Sequence, residues 1–128
     1  SDKSFFWIGQ ELPFRWIAVN WRDGNHFSKE DALEYLQEFP QEHFSSIRYN
    51  QDYLNIEFDD FNNESAYRVF GLWESIDDAK GGPFQGYIFY DYENDRTFYI
   101  SYIVFNPGGK KAFYMRQMEM IAKTIDIN

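Results

Sequence analysis

The sequence contains no cysteine, only two histidines and few basic side chains. Without cysteine the chain has no disulfide, no thiolate metal site and no thiol nucleophile, and its redox compartment is left open. Lysine and arginine total 12 against 21 aspartates and glutamates, which gives a net charge of −9. This balance argues against nucleic acids and anionic lipid surfaces as ligands, because both require clustered cations.

Long apolar runs are also missing. No stretch approaches the ~20 residues that cross a bilayer, and the start of the chain has no charged-then-apolar signal segment. No repeat or low-complexity linker divides the sequence, so we expect a single domain over residues 1–128. Because the chain opens on Ser1 rather than on methionine, we expect the natural protein to begin upstream of this domain.

Two stretches have the apolar spacing of helices. The first begins at Ser28, where the side chains of Ser28 and Asp31 are placed to cap the first turn. It is expected to end at Pro40, which has no amide hydrogen to donate. The second is expected from about Lys110 to Thr124, because its apolar residues are spaced by four, three and four and so form one stripe. That stripe consists of Tyr114, Met118, Ile121 and Ile125.

The rest of the chain has the pattern of strands joined by short polar turns. Apolar and polar residues alternate around Leu54–Phe58, and four longer segments are rich in β-branched and aromatic residues. Short links favour antiparallel hairpins, one through Glu93–Asp95 and one joining Phe5–Gly9 to Trp16–Trp21. The sequence predicts an α+β fold, an antiparallel sheet of about five to six strands with both helices packed on one face. The longer segments are Arg15–Arg22, Ala66–Glu74, Phe84–Tyr92 and Thr97–Phe105.

Aromatic residues are the abundant class, with 14 Phe, 10 Tyr and 4 Trp making up 22% of the chain. Several predicted strands are apolar on both sides, so two helices on one face leave the other face aromatic. Covering even ~400 Å² of such a patch yields about 10 kcal/mol of gross gain, and we expect another domain, a second copy or an envelope protein to cover it. Alternatively, the rings complete a second internal layer. The expected contact residues are Trp16, Tyr87, Phe89 and Tyr99, with Trp73 and Glu74 near the rim.

Few residues are arranged for catalysis. His26 and His43 lack the spacing of metal ligands. Glu57 and Glu74 are the candidates for a two-carboxylate hydrolase, in which burial beside Trp73 would raise the pKa of the acid. Solvated strand carboxylates explain both residues equally well. No catalytic residue and no cofactor is assigned.

Two ion sites are also open. Hard oxygen ligands of the kind that calcium prefers cluster at Asp59, Asp60, Asn62 and Glu64, although Asp and Asn are ordinary turn residues. Lys110 and Lys111 lie where the second helix is expected to begin, and an anion seated there would offset their unfavourable interaction with the helix dipole. The alternative is that both lysines extend into water.

Three motifs follow one another along the chain: Gly71-Leu72-Trp73-Glu74, Gly81-Gly82-Pro83-Phe84 and Tyr114-Met115-Arg116-Gln117-Met118-Glu119. Together they resemble the C-terminal part of a Bacteroidetes lipoprotein family described as domain of unknown function 4837. The resemblance is strongest over about residues 66–125. It implies an exported protein held at the periplasmic or cell-surface side of the envelope by a lipid on an upstream cysteine. It brings no catalytic residue.

These observations favour a non-enzymatic envelope domain that contacts another protein domain, or itself, through its aromatic sheet face. A small-molecule or glycan-binding domain is the second hypothesis, since exposed aromatic rings stack on sugars. A carboxylate-dependent hydrolase is the third. A concave groove with convergent polar groups would favour the second hypothesis, and a flat surface the first.

Overall fold

A computed structural model describes residues 2–9, 14–43, 47–77, 79–105 and 111–125. Seven strands and two helices follow one another along the chain, with a 3-10 helix at Gln51–Tyr53 between the third and fourth strands. The elements are β1 (Asp2–Gly9), β2 (Phe14–Asp23), α1 (Lys29–His43), β3 (Ile47–Tyr49), β4 (Asn55–Phe61), β5 (Glu64–Ser75), β6 (Gly81–Asp91), β7 (Arg96–Phe105) and α2 (Lys111–Lys123).

The strands form one antiparallel sheet in the order β1-β2-β7-β6-β5-β3. The remaining strand, β4, pairs with β5 on the same side as β3. The shorter strands β3 and β4 therefore lie one after the other along one edge of β5. The predicted hairpins β1–β2 and β6–β7 are both present. The α+β class and the antiparallel sheet are therefore confirmed, and the main path has six strands.

The helix boundaries follow the predicted signals with one exception. The hydroxyl of Ser28 accepts a hydrogen bond from the amide of Asp31 at 3.1 Å, and α1 begins one residue after Ser28. The prediction that α1 ends at Pro40 is wrong, since the helix continues to His43. Pro40 lies three residues before the end of α1, so the helix continues past it although Pro40 has no amide hydrogen to donate to the preceding turn. Neither helix in the described part of the chain has the length and apolar character needed to cross a membrane.

The two helices lie on opposite faces of the sheet. Buried residues of α1 join one core cluster, and buried residues of α2 join the other. We call these surfaces the α1 face and the α2 face. The prediction that both helices pack on one face is therefore wrong. The α1 face is built from Trp16, Ala18, Val69, Trp73, Phe84, Ile88, Tyr99 and Ile103, and the α2 face from Ile17, Val19, Tyr87, Phe89, Phe98, Ile100, Tyr102 and Val104.

Small residues form a row across the α1 face. Val69 pairs with Gly86, Gly86 with Ser101 and Ser101 with Ala18, so the row crosses four strands. Large rings occupy the space above it: the Tyr49 hydroxyl donates to the Ser101 hydroxyl at 3.4 Å. Small side chains in the sheet thus allow a layer of tyrosines to lie between the sheet and α1.

Candidate functional site

The aromatic residues expected at an exposed contact surface are core residues. Trp16, Tyr87, Phe89, Tyr99 and Trp73 are each at most 4% exposed. Trp16, Trp73 and Tyr99 lie on the α1 face, and Tyr87 and Phe89 lie on the α2 face. The expectation of an exposed aromatic sheet face formed by these residues is wrong, because each helix covers a different face. These aromatic residues fill two internal layers, one on each face of the sheet.

The first two motifs lie side by side. Trp73 pairs with Gly82 and Glu74 with Gly81 on adjacent strands. The Trp73 indole Nε1 donates to the backbone carbonyl of Val104 at 3.3 Å. A Cβ on Gly82 would lie 2.5 Å from that same carbonyl and 3.0 Å from the indole nitrogen. Gly82 is therefore required for the close approach of the Trp73 ring.

Gly71 and Phe84 have a similar packing role on the same pair of strands. A Cβ on Gly71 would lie 2.5 Å from the carbonyl oxygen of Tyr53, at the end of the 3-10 helix. The ring of Phe84 stacks on Tyr49 with 3.9 Å between ring centroids. Packing thus accounts for Gly71, Trp73, Gly82 and Phe84, which leaves Leu72 as the apolar motif residue that the core does not need.

A surface pocket of about 550 Å³ lies where these motifs meet β3. Leu72 is 44% exposed there. Glu74 is held by Arg48, whose Nε donates to the Glu74 carboxylate at 2.8 Å. The side chain of Asn50 accepts from the amide of Asp52 at 2.9 Å. The lining residues are Asn50, Leu72, Trp73, Glu74, Ser75, Ala79, Lys80, Gly81, Gly82 and Pro83.

The third motif connects α2 to the sheet. The Tyr87 hydroxyl donates to the Glu119 carboxylate at 2.7 Å, and Lys123 lies 3.4 Å from the same carboxylate. Burial raises the pKa of Tyr87, and the hydrogen bond to negatively charged Glu119 raises it further. Tyr87 is therefore a neutral donor at physiological pH, and the motif residue Glu119 orients α2 on its face of the sheet.

The two hydrolase candidates are far apart. Glu57 on β4 pairs in register with Arg68, and its carboxylate lies 3.5 Å from that guanidinium. Glu74 lies six residues after Arg68 on β5, which places it about 20 Å along the strand at ~3.3 Å per residue. Glycosidase carboxylates lie roughly 5 to 9.5 Å apart. Glu57 and Glu74 therefore do not share one cleft, and they are too far apart to act on one glycosidic bond.

The histidines have separate positions. The backbone amide of His26 donates to the Thr97 hydroxyl at 2.8 Å, and its ring Nε2 lies 2.9 Å from the carbonyl of Asp23. His43 is the last residue of α1, and its side chain is outside the described residues. Among the residues that the structure describes, no three His, Asp or Glu side chains are close enough to hold a metal ion.

The calcium candidates belong to a hairpin rather than to a binding loop. Asp59 and Asp60 are consecutive residues of β4, so their side chains point to opposite faces. The turn itself is Asn62-Asn63, both with positive φ, as a tight two-residue hairpin turn requires. Asn62 Nδ2 donates to the carbonyl of Lys123 at 2.8 Å, capping the end of α2. The structure does not bring Asp59, Asp60, Asn62 and Glu64 together as a ligand set.

The anion candidates are not tested by the structure. Lys110 lies outside the described residues, and Lys111 is the first residue of α2, with a side chain outside them as well. α2 ends beside the β4–β5 turn. Because β7 leads into α2, the helix begins at the opposite end of the sheet, where β6 starts and the pocket lies.

Sequence reasoning missed two exposed apolar positions. Leu72 reads as one residue of a continuous apolar strand, and Phe58 as part of the buried side of β4, yet Phe58 is 69% exposed. Its ring lies 4.7 Å from that of Tyr67, on which Phe27 stacks at 4.5 Å. An odd feature of β4 gives the only sequence clue: acidic residues flank Phe58 on both sides, as expected of an exposed strand.

A family model described as domain of unknown function (DUF4837) matches residues 1–124. The match covers all but the last residue of the resemblance noted for residues 66–125 and extends it over the elements from β1 to β4. No curated protein matches the chain.

Proposed function

This chain belongs to the DUF4837 family, and from its pocket we propose a non-enzymatic binding domain of the bacterial envelope that holds a small organic molecule or a glycan. The observation that carries the proposal is Leu72, an apolar motif side chain that is exposed in a concave site. Exposed apolar groups within a concavity are typical of ligand sites.

The lining of the pocket favours an amphipathic ligand. Leu72 and Pro83 supply an apolar wall, whereas Asn50 and Glu74 supply hydrogen-bonding groups close by. A sugar ring has both an apolar face and hydroxyl groups, so it matches this division. Arg48 fixes the Glu74 carboxylate in place, and a fixed acceptor binds a ligand hydroxyl with less loss of side-chain entropy.

Binding rather than catalysis is proposed because the pocket carboxylate, Glu74, is already paired with an arginine. Glu74 is engaged by Arg48, and the second candidate carboxylate, Glu57, lies on another part of the sheet. A glycoside hydrolase needs two carboxyl groups beside the same glycosidic bond. The pocket residues named above instead combine one ion pair with an apolar wall.

The envelope location rests on the likeness of the motifs to exported lipoproteins. We expect the full-length protein to carry a lipid upstream of this domain. The test is fractionation of the source cell followed by detection with an antibody to this domain. Recovery with the envelope and in the detergent phase after detergent partitioning is expected, and recovery with a cytosolic marker contradicts the location.

Ligand binding is tested by NMR titration of the isotope-labelled domain with cellobiose, chitobiose and N-acetyl-leucine amide. We expect one of these probes to shift the Leu72 methyl signals and the amides of Leu72, Gly81 and Gly82. Leu72→Lys should weaken that binding about tenfold or more, since it removes an apolar contact and inserts a charge.

Leu33→Lys is the matched control, because Leu33 on α1 is 41% exposed, close to the 44% of Leu72. It should leave the titration unchanged, and both variants should retain the melting temperature of the original chain. If no probe shifts the pocket signals, or if Leu72→Lys binds as well as Leu33→Lys, the pocket is not the binding site.

A further inference from the structure

β4 is an outer strand, and among the described residues no strand pairs with its far side. The two-residue turn at Asn62-Asn63 makes Phe61 and Glu64 the pair next to the turn. That pair is hydrogen-bonded in such hairpins, so bonding to β5 recurs at every second residue along β4. The backbone groups of Ile56, Phe58 and Asp60 therefore point away from the sheet.

One of these outward amides already has a local partner. The Asp60 amide donates to the carboxylate of Asp59 at 2.8 Å. The outward amides and carbonyls of Ile56 and Phe58 thus form the hydrogen-bonding part of the edge. An edge of this kind is a template for one more strand.

Phe58 adds a side-chain contact at the centre of that edge. It is 69% exposed, and its ring centroid lies 4.7 Å from that of Tyr67 and 6.4 Å from that of Phe27. Its orientation is therefore set by two neighbouring rings rather than by solvent. A planar cation or an apolar side chain of an incoming strand would lie against it.

The charge of the edge determines which strand it accepts. From Asn55 to Glu64 the chain has four acidic residues and no basic one, and the neighbouring Arg68 of β5 offsets one of these charges, that of Glu57. Self-pairing centred on Phe58 would set Glu57 of one copy against Asp59 of another, and like charges at opposed positions destabilise a sheet. A strand with basic residues opposite Glu57 and Asp59 reverses the sign of that interaction.

We propose that β4 binds an extended, positively charged segment of a partner protein, which joins the sheet as an additional strand. The segment carries Lys or Arg at alternate positions, facing Glu57 and Asp59. The residue between them packs on Phe58 and is either apolar or arginine. This surface lies beside the first half of β5, whereas the pocket lies at the end of β5, and the inference does not depend on the proposed ligand.

The test uses a synthetic heptapeptide, acetylated and amidated, of sequence Lys-Val-Lys-Arg-Lys-Val-Lys. Binding to the labelled domain is followed by NMR and by amide hydrogen exchange. At saturation we expect about tenfold or greater slowing of exchange at Ile56 and Phe58, whose amides become paired. The amides of Glu57 and Asp59 already bond to β5 and should change little.

Charge and ring variants assign the contact. Asp59→Lys and Phe58→Ser should each weaken peptide binding about fivefold or more. Glu93→Lys is the matched control, because Glu93 is an exposed acid in the β6–β7 turn that changes net charge by the same amount. Thermal unfolding of each variant verifies that the fold is retained.

Four outcomes would overturn the proposal. One is equal binding of a peptide with the same residues in the order Val-Val-Lys-Lys-Lys-Lys-Arg, which cannot alternate. The second is an equal loss of affinity in Glu93→Lys and Asp59→Lys, which would indicate diffuse attraction to an acidic protein. The third is binding without slower exchange at Ile56 and Phe58. The fourth is slower exchange at these amides with rising protein concentration alone, which would indicate self-pairing.

Discussion

The α1 face and the α2 face bury similar numbers of aromatic residues but close in different ways. On the α1 face, aromatic rings stack closely on one another: Tyr49 on Phe84 with 3.9 Å between ring centroids, and Tyr35 on Tyr99 with 3.8 Å. On the α2 face, unbranched Met118 and Ala122 fill the space between helix and sheet. Stacked rings above close-packed backbone have few alternative arrangements, whereas methionine adapts to its surroundings.

The two faces also treat buried hydroxyls differently. On the α1 face, Tyr35 donates to Asn20 at 2.9 Å, a neutral partner. On the α2 face, Tyr87 donates to the charged Glu119, while the hydroxyl of Tyr102 is buried without a hydrogen-bond partner among the described residues. The α2 face thus combines a hydrogen bond to a charged group with a buried hydroxyl that has no partner among the described residues.

Truncation of one large buried side chain on each face tests this contrast most strongly. We expect Tyr99→Ala to lower the free energy of unfolding by about 4 kcal/mol and Met118→Ala by about 2 to 3 kcal/mol. The difference follows from the loss of the Tyr35 stack and from the limited ability of the α1 face to collapse. Urea denaturation measures both, and an equal or larger loss for Met118→Ala would contradict a tighter α1 face.

Gly82→Ala tests the backbone contacts of the α1 face directly. The added Cβ would meet the Val104 carbonyl, a backbone atom that cannot rotate away. We expect a loss of about 2 to 3 kcal/mol. The exposed substitution Ser65→Ala on β5 serves as the control and should stay within about 0.5 kcal/mol of the original chain. A Gly82→Ala variant as stable as this control would show that β6 and β7 can separate there at little cost.

Removal of single hydroxyls separates the two tyrosines of the α2 face. Tyr87→Phe should destabilise the domain by about 1 kcal/mol, since it removes a hydrogen bond to a carboxylate. Tyr102→Phe should be neutral or stabilising by up to about 1 kcal/mol, because phenylalanine has no hydroxyl group that loses its hydration when the chain folds. Thermal unfolding at neutral pH compares them, and changes of the same sign and size would contradict the distinction.

The same Tyr102 variant has a signature at high pH. Burial, followed by the negative charge of Glu119, raises the pKa of Tyr102 in the folded chain. The unfolded chain loses this proton near pH 10 while the folded chain retains it, so stability is complete below about pH 10 and falls as pH rises above it. Tyr102→Phe should make that fall shallower in urea denaturation between about pH 10 and 11. An unchanged slope would argue against ionisation on unfolding.

Local features of the fold could be predicted from the sequence, whereas long-range ones could not. Ser28 and Asp31 mark the start of α1, and the spacing of Met118 and Ile121 gives α2, because caps and helical periodicity depend on neighbouring residues. Which face each helix covers depends on how the chain crosses the sheet. Because both helices were predicted on one face, the buried aromatic residues of the other face were predicted to be exposed.

The pocket and the β4 edge were beyond the sequence for related reasons. Leu72 and Trp73 are neighbours in an apolar run, and only the pairing of Trp73 with Gly82 decides which of them is buried. β3 is three residues long, too short for alternation to show. Phe58 has the right parity for burial, but its strand extends beyond the cover of α1.

The side chain of Asn62 caps the carbonyl of Lys123, although 61 positions separate the two along the chain. Because α2 is synthesised after all seven strands, the β4–β5 turn and the apolar residues Ile17, Phe89 and Ile100 stay open on the ribosome until the last helix emerges. During that interval one face of the nascent sheet has no helix over it, and exposed apolar surface of this kind is prone to aggregate. Completion of α2 closes the layer and the distant turn in a single step.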